Sequence, residues 1–247
     1  MKRVLFLTVI VFFLAACGGE TAVSTEATAV PAADVVEEPA GDEASSSGEA
    51  VTYAIGAEAN EPRTYSIVAD ESTASYLVDE EFFADALTKF NIQPGDADVI
   101  GSTNDISGEL QLNFGNADLL ESGSFVVNLV SLTTDQNRRD SFIRDNHLES
   151  NLFPDAIFEA KSVSSMPDAY TEGEEISFDL LGDITIREIS QEVTFEVTAV
   201  LQDGRLTGVA RLPIAMSTFG IEPPNFANTL TVADDFVIQV EFTAVES

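Results

Sequence analysis

The chain has 247 residues, with 43 Asp and Glu against 11 Lys and Arg, a formal net charge of −32 at pH 7. Such acidity opposes binding to nucleic acid and adsorption to anionic lipid. With a single cysteine, an intrachain disulfide, CxxC redox chemistry and a cysteine-based zinc site are excluded.

Met1-Lys2-Arg3 precedes an apolar run from Val4 to Ala16. A positive start followed by such a run is the pattern of an export signal. Its length, about 13 residues, falls short of the roughly 20 that a spanning helix needs. The run ends in Leu14-Ala15-Ala16-Cys17, which resembles the bacterial lipobox. There, small side chains admit the peptidase and the thiol carries a diacylglycerol. We therefore expect residues 1–17 to be a lipoprotein signal peptide, with Cys17 as the attachment point. The expected location is the cell envelope, exported and anchored to the cell membrane or outer membrane through that lipid alone.

Residues 18–62 are rich in Ala, Thr, Ser, Glu and Pro and lack Lys and Arg. Such a segment buries too little apolar surface to offset its ordering entropy, and it reads as a disordered tether. A flexible chain of this length has an end-to-end distance of roughly 35–40 Å. Within it, Val51 to Ile55 fits a short strand.

The remainder, 63–247, suits one domain. Several segments alternate with period two. Ile106, Gly108, Leu110, Leu112 and Phe114 share one face, and Ile176, Phe178, Leu180, Gly182, Ile184 and Ile186 repeat the pattern. So do Val193, Phe195, Val197 and Ala199, then Leu206, Gly208, Ala210, Leu212 and Ile214, then Ile238, Val240 and Phe242. Phe125, Val127 and Leu129 lie in a more uniformly apolar strand. Asp203-Gly204 signals a hairpin turn. Two short helices are predicted, over about Glu80 to Lys89 and about Asp135 to Asn146, the second with Thr134 or Asp135 as N-cap. One dry and one wet face per strand gives an all-β, antiparallel barrel of about eight strands or a sandwich. In a barrel of that size the interior is either filled or holds one small ligand. Inward small residues would leave volume, but the pattern alone favours a filled core.

Three segments then carry a family resemblance. The first runs Ser131-Leu132-Thr133-Thr134-Asp135-Gln136-Asn137-Arg138-Arg139-Asp140 through Phe142-Ile143-Arg144 to Phe153-Pro154 and Ala156-Ile157-Phe158. The second is Leu181-Gly182-Asp183-Ile184-Thr185-Ile186-Arg187-Glu188-Ile189. The third is Met216-Ser217-Thr218-Phe219-Gly220-Ile221, with Val232 to Val240 beyond it. Together with Ser75 to Phe83, their order and spacing resemble the YceI-like family of lipid-binding proteins. Glu188 stands where that family usually has Gly, Met216 where Arg is common, and Thr218 where Asp is common. The resemblance implies a lipocalin-like barrel whose hydrophobic tunnel accommodates a long isoprenoid or similar lipid.

Candidate tunnel residues are Leu110, Leu112, Phe114, Phe125, Val127, Phe158, Phe178, Leu180, Ile184, Phe195, Val197, Leu212, Phe219 and Val240. Arg138, Arg139 and Arg144 form the sole basic cluster and are candidates for an anionic headgroup. Asp135, Asp140 and Asp145 interleave with them, and local pairing is the competing reading. His147, the only histidine, has no HxH or HExxH partner and reads as a hydrogen-bonded side chain. No EF-hand, phosphate loop or G-x-S-x-G elbow occurs. The expected protein is thus a binder without catalysis, cofactor, metal or nucleic acid. The alternative is an interaction module of the envelope with a filled core. A homodimer is compatible with the sequence, which does not decide the oligomeric state.

Overall fold

A computed structural model describes residues 52–56, 61–82, 98–226 and 230–247. In chain order the strands are β1 (Thr52–Ala54), β2 (Arg63–Ile67), β3 (Thr73–Phe82), β4 (Asp98–Thr103), β5 (Ile106–Leu112), β6 (Leu120–Asn128) and β7 (Asp155–Ser164). They continue as β8 (Ala169–Thr171), β9 (Glu175–Ile186), β10 (Ile189–Gln202), β11 (Arg205–Ala215), β12 (Asn225–Phe226) and β13 (Leu230–Glu246). The α-helix among the described residues is α1 (Asn137–Asn146). Short 3-10 turns occupy Ala69–Glu71, Leu129–Ser131 and Met216–Phe219.

Every strand pairing is antiparallel. Strands β2, β5, β6, β7, β9, β10, β11 and β13 pair in that order, and β13 returns to β2, closing an eight-stranded barrel. This is the architecture expected from the alternation. The short strand expected near Val51 is β1, which pairs with β8.

Strand β13 is long enough to serve two neighbours on one edge. Ala244–Glu246 pair with β2, while its earlier residues, from Leu230 to Glu241, pair with β3. The chain therefore bends between β2 and β3. Ser72, 1% exposed, pins that bend: its hydroxyl donates to the Val68 carbonyl and accepts from the Thr243 N–H. Beyond the bend, β3 and β4 leave the barrel as a two-stranded arm, tied back by the bridge between Ser102 and Thr133. Glu80 to Phe82 end β3, so the helix expected from Glu80 is overturned there; pairing with β13 extends the strand through a segment of weak local preference. The rest of that expectation lies outside the described residues.

The second helix starts two residues later than expected. Its N-cap residue is Gln136, which makes no side-chain cap bond. Thr134 acts just upstream: its N–H and hydroxyl both donate to the buried Asp140 carboxylate, 2.9 and 2.6 Å away. At the other end His147 is the C-cap, and its Nδ1–H donates to the Glu222 carbonyl at 3.0 Å, which ties α1 to the loop holding Pro223-Pro224.

The expected hairpin turn at Asp203-Gly204 is present. Asp203 and Gly204 have φ of 51° and 71°, the two positive values of a type I′ hairpin. Between β9 and β10 the left-handed position falls on Arg187, φ 52°, and not on Glu188. Replacement of the usual glycine at 188 therefore imposes no strain at 188 itself. Arg187 is held by an ion pair with Glu149 and by donation to the His147 carbonyl.

The inward glycines do not leave empty volume, which corrects the sequence expectation. Gly101, Gly108 and Gly208 sit directly opposite Tyr76, Phe125 and Phe242 across the ladder. A Cβ on each would lie 2.1, 2.6 and 2.9 Å from the facing ring. On Gly182 it would lie 2.5 Å from the Phe158 ring and 2.4 Å from the Glu159 carbonyl. Each glycine is thus a seat over which a neighbouring ring lies against the wall.

Two tests follow from these contacts. Gly to Ala in a strand ordinarily stabilises by up to about 1 kcal/mol. Gly182→Ala should instead destabilise by about 1–3 kcal/mol in urea denaturation, because the Cβ meets backbone. Burial holds the His147 pKa below its usual 6.5. The unfolded chain therefore takes up that proton first, so the stability contributed is complete above about pH 6.5 and is lost as pH falls below it. Melting of wild type and His147→Gln between pH 5 and 8, on the order of one unit per step, should show a larger acid-side loss in wild type; parallel curves would refute it.

Candidate ligand cavity

The barrel encloses a cavity of about 1020 Å³. Its wall is almost entirely aliphatic and aromatic, supplied by every strand of the ring together with β3, β4 and α1. Alternation explains the wall: Ile176, Phe178, Leu180, Ile184 and Ile186 on β9 and Phe195, Val197 and Ala199 on β10 all face the void. On β6 the structure settles the face left open by the sequence, since Phe125, Val127 and Leu129 line the cavity. A bulge in β7, where the register shifts between Ala160 and Ser162, moves the inward phase from Phe158 to Val163.

All the candidate tunnel residues line the cavity except Leu212 and Phe219. Both are buried, at 6% and 0% exposure, but they belong to filled core. Leu212 pairs with Ile238 where β11 meets β13, and Phe219 ends the 3-10 turn that follows β11. At those places neighbouring side chains occupy the space. Sequence reasoning missed Tyr76, Val78 and Glu80 on β3, Val99 on β4, and Tyr170 on β8. Their neighbours are set by the arm and by the β1–β8 ribbon, which no local period announces. Ile238 and Phe242 were legible, since they alternate with Val240 on one face.

The two ends of the cavity differ. At the α1 end, exposed Gln136 and Arg138 form part of the wall, so the void reaches the surface there. Tyr76, Glu80, Arg139 and His147 complete this polar ring. Arg139 is already engaged: it forms an ion pair with Asp135, and its Nε lies 3.4 Å from Glu80 Oε1. Arg138 makes no ion pair with any described residue. Burial pushes the Tyr76 phenol up to about 12, and the nearby Asp140 and Glu80 carboxylates act in the same direction. It stays protonated and able to donate a hydrogen bond at neutral pH. Arg144 does not reach the cavity. Its Nε is buried without a hydrogen-bond partner, beside a separate void of about 10 Å³ lined by Tyr76, Leu132 and Asp140. The expected basic cluster is therefore split: Arg138 and Arg139 at the opening, Arg144 beneath α1. The spacing of five between Arg139 and Arg144 puts them on different helical faces.

At the opposite end the lining residues Phe114, Leu119, Tyr170, Leu201 and Leu206 are all at most 9% exposed. Strands β1 and β8 lie across this end. The Gly56 N–H donates to the Phe114 carbonyl, and the Tyr170 hydroxyl donates to the Leu201 carbonyl while accepting from the Leu201 N–H. Among the described residues no group of three or more His, Cys, Asp or Glu is placed to hold a metal ion.

Comparison with known proteins agrees with this architecture. A search of curated proteins by sequence gave no match. The crystal structure of Burkholderia cenocepacia BcnA superposes with a TM-score of 0.57 at 16% identity, covering 72% of this chain and 99% of that one. A polyisoprenoid binding domain from Saccharophagus degradans, implicated in plant cell wall breakdown, gives 0.48 at 14% identity, covering 72% and 98%. A Campylobacter jejuni YceI protein gives 0.45 at 16% identity, covering 58% and 82%. At these identities the likeness is one of fold. The sequence profile of the YceI-like domain matches residues 65–244, well over half of the chain, and the chain belongs to that family.

Proposed function

We propose that this protein binds an amphiphilic lipid, a polyisoprenoid in particular, with the tail in the barrel and the headgroup at the α1 end. The observation that carries this reading is the continuous apolar cavity of about 1020 Å³, open at a polar ring. That volume lies at the upper end of the range for small-molecule sites, roughly 300–1,000 Å³. Burial of a tail stabilises by roughly 0.8 kcal/mol per methylene. Ten methylenes would contribute about 8 kcal/mol before the costs of association. Binding of this kind needs no catalytic group. The alternative, an interaction module with a filled core, is disfavoured by the void.

The proposal extends to location. Cys17 carries a diacylglycerol, and the acidic segment that follows lets the barrel work away from the bilayer in the envelope. An anchored carrier reaches membrane lipid while keeping a dry cavity of its own. Of the three arginines, Arg138 is the one free to meet an anionic headgroup, since Arg139 is neutralised by Glu80 and Asp135.

Three measurements test these statements. The full chain, purified and extracted with organic solvent, should yield a stoichiometric long-chain lipid by mass spectrometry; an empty extract, with no uptake of added prenyl lipids, sinks the reading. Arg138→Gln should weaken prenyl phosphate binding about tenfold, the loss expected for one charge-assisted hydrogen bond, while leaving the prenyl alcohol nearly unchanged. Equal losses for both lipids would remove Arg138 from the headgroup site. Cys17→Ser should abolish labelling by radioactive palmitate and release the protein from the membrane fraction, and retained labelling would refute the anchor.

A further inference from the structure

We infer that the end of the cavity opposite α1 is a molecular ruler: an aromatic floor, built partly by residues upstream of the family domain, sets the longest tail the barrel accepts. This rests on the lipid-binding reading above and adds its chain-length specificity.

The family match begins at residue 65, so β1 and Arg63 are contributions of this chain outside the matched segment. They bring three aromatic rings around one guanidinium. The Tyr53 ring packs 4.9 Å from the Phe114 ring, centroid to centroid, and Phe114 is cavity wall. The Arg63 guanidinium lies over the rings of Tyr53, Tyr65 and Phe114 at 5.7, 5.6 and 5.9 Å. It is held in place by Glu246, whose Oε1 accepts from Nε at 2.7 Å, and it donates to the Tyr53 hydroxyl at 3.2 Å. That hydroxyl in turn donates to Glu172 at 3.1 Å, tying Tyr53 to the loop beyond β8. Tyr170, on β8, closes the floor from the other side, and both its hydrogen bonds reach the end of β10 at Leu201.

Such a floor cannot yield without breaking the Arg63–Glu246 pair and the Tyr53–Phe114 ring contact together. A tail that reaches it must stop, fold back or leave its remaining methylenes in water. Each methylene added before the floor gains burial, and each one beyond it must fold back into occupied space at a cost in packing. Affinity should therefore climb with tail length to a limit and then fall.

The test is a binding series with the full chain and the prenyl alcohols geraniol, farnesol, geranylgeraniol, solanesol and dolichol. Wild type should show rising affinity, then a drop of at least about tenfold at one step of the series. Phe114→Ala together with Tyr53→Ala opens the floor and should move that step to a longer alcohol. Ala199→Phe projects bulk into the void above the floor and should move it to a shorter one; because it fills space that is empty in the native barrel, it also serves if the double variant does not fold. A rise or a plateau through dolichol in wild type, or a limit that stays put in the folded variants, overturns the ruler while leaving lipid binding intact. No binding of any alcohol by wild type sinks both the ruler and the lipid reading.

Discussion

The cavity depends on how aromatic rings are stored in the barrel wall. An eight-stranded barrel has an interior that ordinary side chains just fill. Here Phe125, Phe158 and Phe242 on the ring, with Tyr76 on the arm beyond it, are large enough to fill it, and all four line the void. They do not close it because each lies over a glycine: Gly101, Gly108, Gly182 or Gly208. The ring takes the volume that a side chain on the neighbouring strand would have used. The result is a wall that is aromatic yet thin, with free space along the axis. A carrier for a long apolar tail needs that combination, since the wall supplies dispersion contacts and the axis supplies room.

The barrel treats its two ends differently, and the difference starts in β13. Because that strand shares one edge between β2 and β3, the arm is led away from the barrel at the α1 end. Helix α1 and the arm then surround an opening that carries Glu80, Arg138, Arg139 and Tyr76. At the far end the β1–β8 ribbon is held to Phe114 and Leu201 by hydrogen bonds from Gly56 and Tyr170. Polar groups are concentrated at the α1 end, and packed aromatic rings at the other.

Charge at the opening is also partly spent before any ligand arrives. Glu80 and Asp135 neutralise Arg139, and Asp140 is committed to Thr134. In a chain of net charge −32, a single uncommitted arginine at the cavity stands out more than a cluster would. The interleaved aspartates noted in the sequence do pair locally at Asp135, yet the partner from outside the helix is Glu80, on the arm.

Much of this was legible in the sequence. Period-two alternation identified the antiparallel strands and nearly every inward residue of β5, β9 and β10, with Ile238, Val240 and Phe242 of β13, because a side chain's face in a strand is decided by its parity. Asp203-Gly204 announced its hairpin, because two positive φ values in a row favour that pair of residues. What alternation could not decide was whether the inward residues meet across the axis. Leu110 and Leu212 carry the same local signal, yet one borders the void and the other is packed core. Volume depends on which ring lies over which glycine across the ladder, and that depends on strand register. Likewise Glu80, Tyr53 and Arg144 acquired their places from the bend at Ser72, the ribbon at Ala169–Thr171 and the facing of α1. The sequence by itself determined the class of fold and the apolar character of its interior. Only tertiary pairing decided that the interior is hollow, at which end it opens, and what closes the other.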